Sequence, residues 1–208
     1  TIQSDGQSIQ FSPYKICSVS APVDEPFDLL IVATKVFNSI DFVQLIKPFM
    51  GTDTILFLIQ NGVFIEDQFF DHYHQPIMRG LAFLCAVRES YSLVKHLDFG
   101  CLTYGMIQGD PQDPKCRQVR SLFDQSEMDV VYTDAINYAI WDKLLWNAAF
   151  NPLSVAYGGV DTAFLLSSPE ILDRVRHIMA EVCLASELAG YPLATDLIEK
   201  KIALNRKM

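Results

Sequence analysis

The sequence predicts a chain of two parts, an α/β region built on a largely parallel sheet and an all-helical region that follows it. Two short, nearly continuous apolar runs at 28–34 and 54–60 are typical of parallel strands covered on both faces. From Asp134 onward the apolar residues recur with a helical period instead. We place the boundary near Asn137.

The α/β region is expected to open with a hairpin, because Asp5-Gly6 separates two short alternating stretches. Between the two apolar runs, Asn38 or Ser39 is placed to cap a helix that ends at Gly51. Strand, helix and strand together form a β-α-β unit.

Two further strands are predicted at 80–88 and 99–107, where glycines indicate antiparallel pairing or bulges. A loop at 110–114, a helix from about 115 to 125 and a strand at 129–132 complete the region.

The helical region should contain stops at 158–159 and at Gly190. A new helix should begin within 167–170, where a cap residue, a first-turn proline and an acid follow in order.

Composition narrows the classes of function. The 208 residues are 50% hydrophobic and 20% charged, as in an ordinary folded protein. A net charge of -9 repels phosphate backbones and anionic lipid, so we expect neither nucleic acid nor a membrane surface as a partner. No apolar run approaches the ~20 residues that span a bilayer.

The cysteines and histidines do not predict a metal site. The five cysteines are widely spaced and form no C-x-x-C pair, which argues against a disulfide framework and favours a reducing cytoplasm. His72 and His74 form an H-x-H in a polar stretch, but no further ligand is evident, so a solvated loop is the simpler interpretation.

The most informative segment carries Lys143, Asn147 and Asn151 at four-residue spacing, which places a cation and two amides in one sector of a helix. We call these three residues the polar stripe. It would face either an internal cleft or solvent. In the second case, Asn151 would be the N-cap of a new helix beginning at Pro152.

A second pair of polar residues, Lys35 and Asn61, directly follows the two apolar runs. Ligands of open α/β sheets bind outside the carboxyl ends of the strands, so both side chains can reach one site. The alternative is a plain Asn61-Gly62 turn and a solvated loop lysine.

Three segments, at 29–35, 58–63 and 141–154, resemble the ketopantoate reductase family in order and spacing. The Lys-x-x-x-Asn-x-x-x-Asn-Pro element is the specific one, whereas its first half also occurs in the wider 6-phosphogluconate dehydrogenase-like group. The resemblance implies a partial Rossmann-type dinucleotide-binding domain at 1–137 and an all-helical substrate and catalytic domain at 138–208.

The resemblance also implies an activity, the NADPH-dependent reduction of ketopantoate to pantoate on the route to pantothenate and coenzyme A. The implied residues are Lys143 as catalytic proton donor; Asn61, Asn147, Asn151 and Asp161 for the substrate; and Lys35, Asn61 and Ala86 for NADP. Asp161 stands where the family has an asparagine.

The sequence departs from the family pattern in its first part. It contains no G-x-G-x-x-G, so the glycine-rich first βαβ unit is missing, and no early basic residue selects the 2'-phosphate of NADP. We therefore expect the chain to be the central piece of a longer protein. A related 2-oxo or 3-hydroxy acid dehydrogenase and a non-catalytic fragment acting in dimerisation stay open. The expected partner is a small-molecule substrate, and a homodimer is possible.

Overall fold

The computed structural model describes residues 1–4, 7–16, 18 and 25–205. The chain divides into two compact units, Thr1–Ile136 and Asn137–Met208, which we call the sheet unit and the helical unit. The predicted Asp5-Gly6 turn lies outside the described residues.

The sheet unit is built on one sheet of seven strands. The strands are β1 Ile2–Ser4, β2 Gln7–Ile9, β3 Leu29–Val32, β4 Ile55–Leu58, β5 Ile77–Ser90, β6 Leu93–Gln108 and β7 Asp129–Tyr132. Their order is β2-β1-β6-β5-β4-β3, and β7 also pairs with β6. Strands β3, β4 and β5 run parallel, and β1 pairs antiparallel with β2, which confirms the predicted hairpin.

The long strands β5 and β6 pair antiparallel, as the sequence predicted. Their register shifts at several points, including Phe83/Leu84 and Cys85/Ala86, and such irregularities are the bulges that the glycines indicated. Both strands are longer than the predicted segments, since they extend to Ser90 and Leu93, where β1 pairs with β6 on the side away from β5.

Strand β4 is covered on both faces. Its residues Ile55, Leu56, Phe57 and Leu58 are all at most 1% exposed. Because side chains alternate along a strand, Leu56 and Leu58 enter one apolar cluster while Ile55 and Phe57 enter another. The prediction of a buried parallel strand is confirmed.

Helices cover the two faces of the sheet. They are α1 Phe42–Ile46, followed by a 3-10 turn at Lys47–Phe49, then α2 Asp67–Phe70 and α3 Pro114–Asp124. The cap predicted at Asn38 or Ser39 is wrong. Asp41 caps α1 instead, and its carboxylate accepts a hydrogen bond from the Gln44 backbone at 3.0 Å.

The helical unit contains four helices: α4 Ile136–Ala156, which begins at the unit boundary, α5 Thr162–Ser167, α6 Pro169–Leu188 and α7 Leu197–Asn205. The predicted start is confirmed, since Ser168 precedes α6 and Pro169 lies in its first turn. The predicted stop after α4 is confirmed by Gly158 and Gly159, with φ of 92° and 83°, and Gly190 follows α6 with φ of 85°.

The core of the helical unit is formed by inward-facing apolar residues of all four helices. Leu145, Leu165, Val175 and Met179 are completely buried, and Ile202 is 2% exposed. Among the residues that the structure describes, no helix is both long and apolar enough to cross a membrane. The fold class predicted from the sequence, an α/β region followed by a helical one, is confirmed.

Candidate functional site

The carboxyl ends of β3 and β4 lie at the same edge of the sheet, because the strands are parallel with Val32 opposite Leu58. Lys35 and Asn61 follow these ends, and both residues line one cavity of about 410 Å³, which we call the strand-end cavity. Its lining residues are Ala33, Thr34, Lys35, Val36, Ile59, Gln60 and Asn61. The structure therefore brings together the two polar residues that the sequence placed at separate strand ends.

Gln60 joins the two walls of the strand-end cavity. Its side chain is buried, and its amide nitrogen donates to the carbonyl of Thr34 at 2.9 Å and to the Thr34 hydroxyl at 3.2 Å. Its side-chain oxygen is buried and has no hydrogen-bond partner in the described part of the chain. The segment after β3 and the segment after β4 are thereby fixed to each other.

Arg79 stands behind the turn that carries Asn61. It lies in β5 with 0% exposure, and one guanidinium nitrogen is paired with the buried carboxylate of Glu66. The other donates to the carbonyls of Gln60 at 3.2 Å and of Gly62 at 2.9 Å. Burial lowers the pKa of Arg79, and the nearby Glu66 carboxylate opposes that shift.

Sequence reasoning missed the pair of Arg79 and Glu66. One signal was available, since Arg79 interrupts the apolar run from Ile77 to Leu81, and a charge inside a buried strand needs a partner. The partner itself, in a different element, was not evident from spacing.

Ala86 lies apart from the lining of this cavity. It is an exposed residue of the β5–β6 ribbon, opposite His96, and is not among the described residues that line the strand-end cavity.

The polar stripe lies along one helix of the helical unit. Lys143 and Asn147 are half-buried, Asn151 is exposed, and the Asn151 amide donates to the Asn147 side-chain oxygen at 3.4 Å. Helix α4 continues through Pro152 to Ala156, so the alternative of a new helix capped by Asn151 is wrong. The three side chains form a continuous row on consecutive turns.

Asp161 has a structural role in the same unit. It is the N-cap of α5, and its carboxylate accepts a hydrogen bond from the Phe164 backbone at 2.8 Å. The side chain is therefore occupied by a contact that stabilises the helix start.

The two histidines of the H-x-H lie on another cavity of the sheet unit, also of about 410 Å³, together with Asp53, Asp113 and Lys115. Across the described ranges, no group of three or more His, Cys, Asp or Glu side chains is placed to hold a metal ion.

A polar cavity outside the carboxyl ends of parallel strands, in a chain that continues into a helical unit, places the protein among two-part α/β proteins, whose sheets have their ligand sites at this edge. Comparison with known families gives the particular member of that class. The pattern described as "Ketopantoate reductase PanE/ApbA" matches residues 1–109, and "Ketopantoate reductase PanE/ApbA C terminal" matches residues 135–208. The chain belongs to the ketopantoate reductase family.

Individual relatives agree with this assignment. A 2-dehydropantoate 2-reductase of Nostoc sp. strain PCC 7120 is 25% identical over 186 residues, which are 87% of this chain and 58% of the relative. The crystal structure of 2-dehydropantoate 2-reductase from Methylococcus capsulatus is 33% identical with a TM-score of 0.79, covering 89% of this chain and 59% of that one.

A dimeric ketopantoate reductase from Staphylococcus aureus has a TM-score of 0.74 at 21% identity, covering 89% of this chain and 66% of that one, and it shows the fold alone. The chain spans 51% to 60% of the length of the first curated relatives that it matches.

Proposed function

We propose that this chain forms part of a ketopantoate reductase (2-dehydropantoate 2-reductase), which reduces ketopantoate to pantoate with NADPH on the route to pantothenate and coenzyme A. The observation that carries the proposal is the polar stripe, an ammonium and two carboxamides on consecutive turns of one helix in a chain of this family. In this proposal, residues 1–137 bind the cofactor and residues 138–208 bind the substrate and carry the proton donor.

The strand-end cavity fits one portion of a dinucleotide. Its polar groups include the Lys35 ammonium and the Asn61 amide, which suit phosphate, ribose and carboxamide groups. A cavity of about 410 Å³ is of the size that holds part of such a ligand rather than all of it. When bound, the nicotinamide supplies the hydride.

Lys143 is proposed as the proton donor. Hydride arriving at the carbonyl carbon leaves negative charge on the oxygen, and an ammonium group aimed at that oxygen stabilises the charge and then donates the proton. The half-buried position of Lys143 supports this role, because partial exclusion of water strengthens the interaction of its ammonium with a developing oxyanion.

The remaining roles are binding roles. Asn147 and Asn151 are proposed to hydrogen-bond the hydroxyl and carboxylate oxygens of the substrate, since carboxamides do so without adding charge beside the lysine. Asn61 is proposed to contact both substrate and cofactor. Asp161 for the substrate and Ala86 for the cofactor rest on the family resemblance alone.

A homodimer and a cytoplasmic location complete the proposal. The relative from Staphylococcus aureus is described as dimeric, and the four cysteines within the described residues are unpaired, which favours a reducing compartment.

The test is a substrate panel with the full-length protein. NADPH oxidation is measured with ketopantoate and with 2-oxo acids that lack its hydroxymethyl group, and then with NADH in place of NADPH. We expect kcat/KM for ketopantoate with NADPH to exceed that for the other acids by about 10⁴-fold, since a site built to pair a substrate hydroxyl rejects analogues without it. A preference for another acid would favour the related dehydrogenase. No turnover with any acid would favour the non-catalytic alternative.

A further inference from the structure

We propose that Arg79 is a positioning residue, which together with Glu66 holds the segment from Gln60 to Glu66 in the conformation that presents Asn61 to the strand-end cavity. The role of Arg79 in the turn is supported by its hydrogen bonds and its ion pair alone. Its consequence for turnover rests on the proposed function.

The guanidinium contacts the turn on both sides of Asn61. The Gln60 carbonyl immediately precedes Asn61 in the chain and the Gly62 carbonyl immediately follows it, and Arg79 donates to both at 3.2 and 2.9 Å. Asn61, between these two fixed peptide groups, is exposed and lines the strand-end cavity. Arg79 lies in the buried first part of β5, so the turn is anchored to the core of the sheet.

The turn needs such an anchor because its backbone is unusual. Gly62 has φ of 117° and Phe64 has φ of 58°, and a left-handed conformation is unfavourable for a residue with a side chain as large as that of phenylalanine. Strained backbone persists only where the surrounding structure over-determines it. The two hydrogen bonds from Arg79 hold the chain before Phe64 and the ion pair at Glu66 holds it after Phe64, so the one strained residue is constrained on both sides.

Glu66 also explains how an arginine can be buried here. Its carboxylate is almost fully buried and neutralises the guanidinium, while the two carbonyls take further donors. Glu66 directly precedes α2, so the pair ties the end of the turn and the start of that helix to β5. If the pair served only to neutralise two charges, the guanidinium would not need to contact the carbonyls beside Asn61.

The first experiment measures the turn in the cofactor-free, full-length protein. A double variant, Arg79→Met with Glu66→Leu, removes both charges together and so leaves no buried unpaired ion. The matched control is Arg174→Met with Glu170→Leu, an exposed pair on α6 at 2.9 Å. Amide hydrogen exchange is followed by mass spectrometry on peptides that cover 59–66 and on peptides from the core strand β4.

We expect exchange within 59–66 to become at least about 10-fold faster in the double variant, with β4 unchanged, and no change in the control. Unchanged protection of 59–66 would overturn the proposal. Equal loosening of 59–66 and β4 would also overturn it, because that result describes a pair that stabilises the whole unit and does not act on the turn.

The second experiment is a double-mutant cycle on kcat/KM with NADPH and ketopantoate, combining Asn61→Ala with the Arg79→Met, Glu66→Leu variant. If Arg79 acts through Asn61, each change lowers kcat/KM by a similar factor, and the combination falls little further. Additive losses would overturn the link to Asn61.

Failure of the proposed function and failure of the positioning role of Arg79 give different results. An inactive wild-type protein would contradict the proposed function and leave the exchange result to decide whether Arg79 holds the turn. An active wild-type protein whose turnover is unaffected by removal of the pair would contradict the positioning role and leave the proposed function intact.

Discussion

The two polar regions of this chain are built in different ways. The polar stripe on α4 is made by the helix itself, because residues four apart share one face and need no help from distant parts of the chain. The strand-end cavity is made by tertiary structure, since Asn61 lies on a turn with a strained residue, and Arg79 of β5, paired with Glu66, holds that turn in place. The geometry of the polar stripe should therefore tolerate substitutions in the surrounding residues. The geometry of the strand-end cavity should depend on residues that never touch a ligand.

The largest effect is expected in the polar stripe, at Lys143. Lys143→Ala in the full-length protein should lower kcat with ketopantoate by about 10²–10⁴-fold, the usual contribution of a positioned general acid. Lys200→Ala is the matched control, since that lysine is exposed and pairs with Asp196 one turn away at 2.7 Å. Steady-state NADPH oxidation gives both values. Equal turnover of Lys143→Ala and wild type would show that another group donates the proton.

The next largest effect is expected at the buried pair beside the strand-end cavity, and it is a loss in the free energy of unfolding. Glu66→Ala leaves the guanidinium of Arg79 buried without its counter-ion, which should cost about 3–5 kcal/mol in the free energy of unfolding. Glu170→Ala breaks the exposed pair with Arg174 and should cost at most about 0.5 kcal/mol. Urea unfolding measures both. A similar small loss for the two variants would mean that the buried pair contributes no more to stability than the exposed one.

Within the polar stripe, the two amides should differ. Asn147→Ala should raise KM for ketopantoate by about 2–10-fold, the equivalent of one lost hydrogen bond. Asn151→Ala should have a smaller effect, because Asn151 is exposed and water can replace it. The assay is KM at saturating NADPH. A larger effect at Asn151 would place the substrate further along the helix than the proposal does.

The smallest effect is expected at Asp161, and it tests whether this residue is a helix cap only or also contacts the substrate. Asp161→Ala should cost about 1 kcal/mol in the free energy of unfolding through loss of the N-cap of α5. Asp161→Asn keeps a good cap and introduces the residue that the family carries, so its stability should stay within a few tenths of wild type. If KM for ketopantoate also stays unchanged in Asp161→Asn, the substrate role carried over from the family does not apply to this residue.

The features that the sequence could predict are those that depend on local structure or on a general rule for sheets. The stripe was predictable because Lys143, Asn147 and Asn151 obey the helical repeat, and the helix start at Pro169 was predictable because its signals are local. The shared edge of Lys35 and Asn61 was predictable from the rule for parallel strands. In each case the information lies within a few neighbouring residues or in a general property of the sheet.

What escaped prediction depends on contacts between distant residues. Arg79 was missed because its partners are 13 to 19 residues away in sequence and lie in a turn. The cap of α1 was misplaced from Asp41 to Asn38 or Ser39, because several cap-forming residues precede a helix of only five residues. The alternative start at Pro152 failed because one helix continues through the proline, which local propensity disfavours.

The measurement that tests the proposed reaction most directly follows the hydride. The full-length protein is incubated with ketopantoate and NADPH that carries deuterium at the transferred position, and the product is identified by mass spectrometry. We predict pantoate with one deuterium on the former carbonyl carbon, formed in step with NADPH oxidation. NADPH oxidation without labelled pantoate, or no reaction of ketopantoate at all, would contradict the assignment of this chain to ketopantoate reduction.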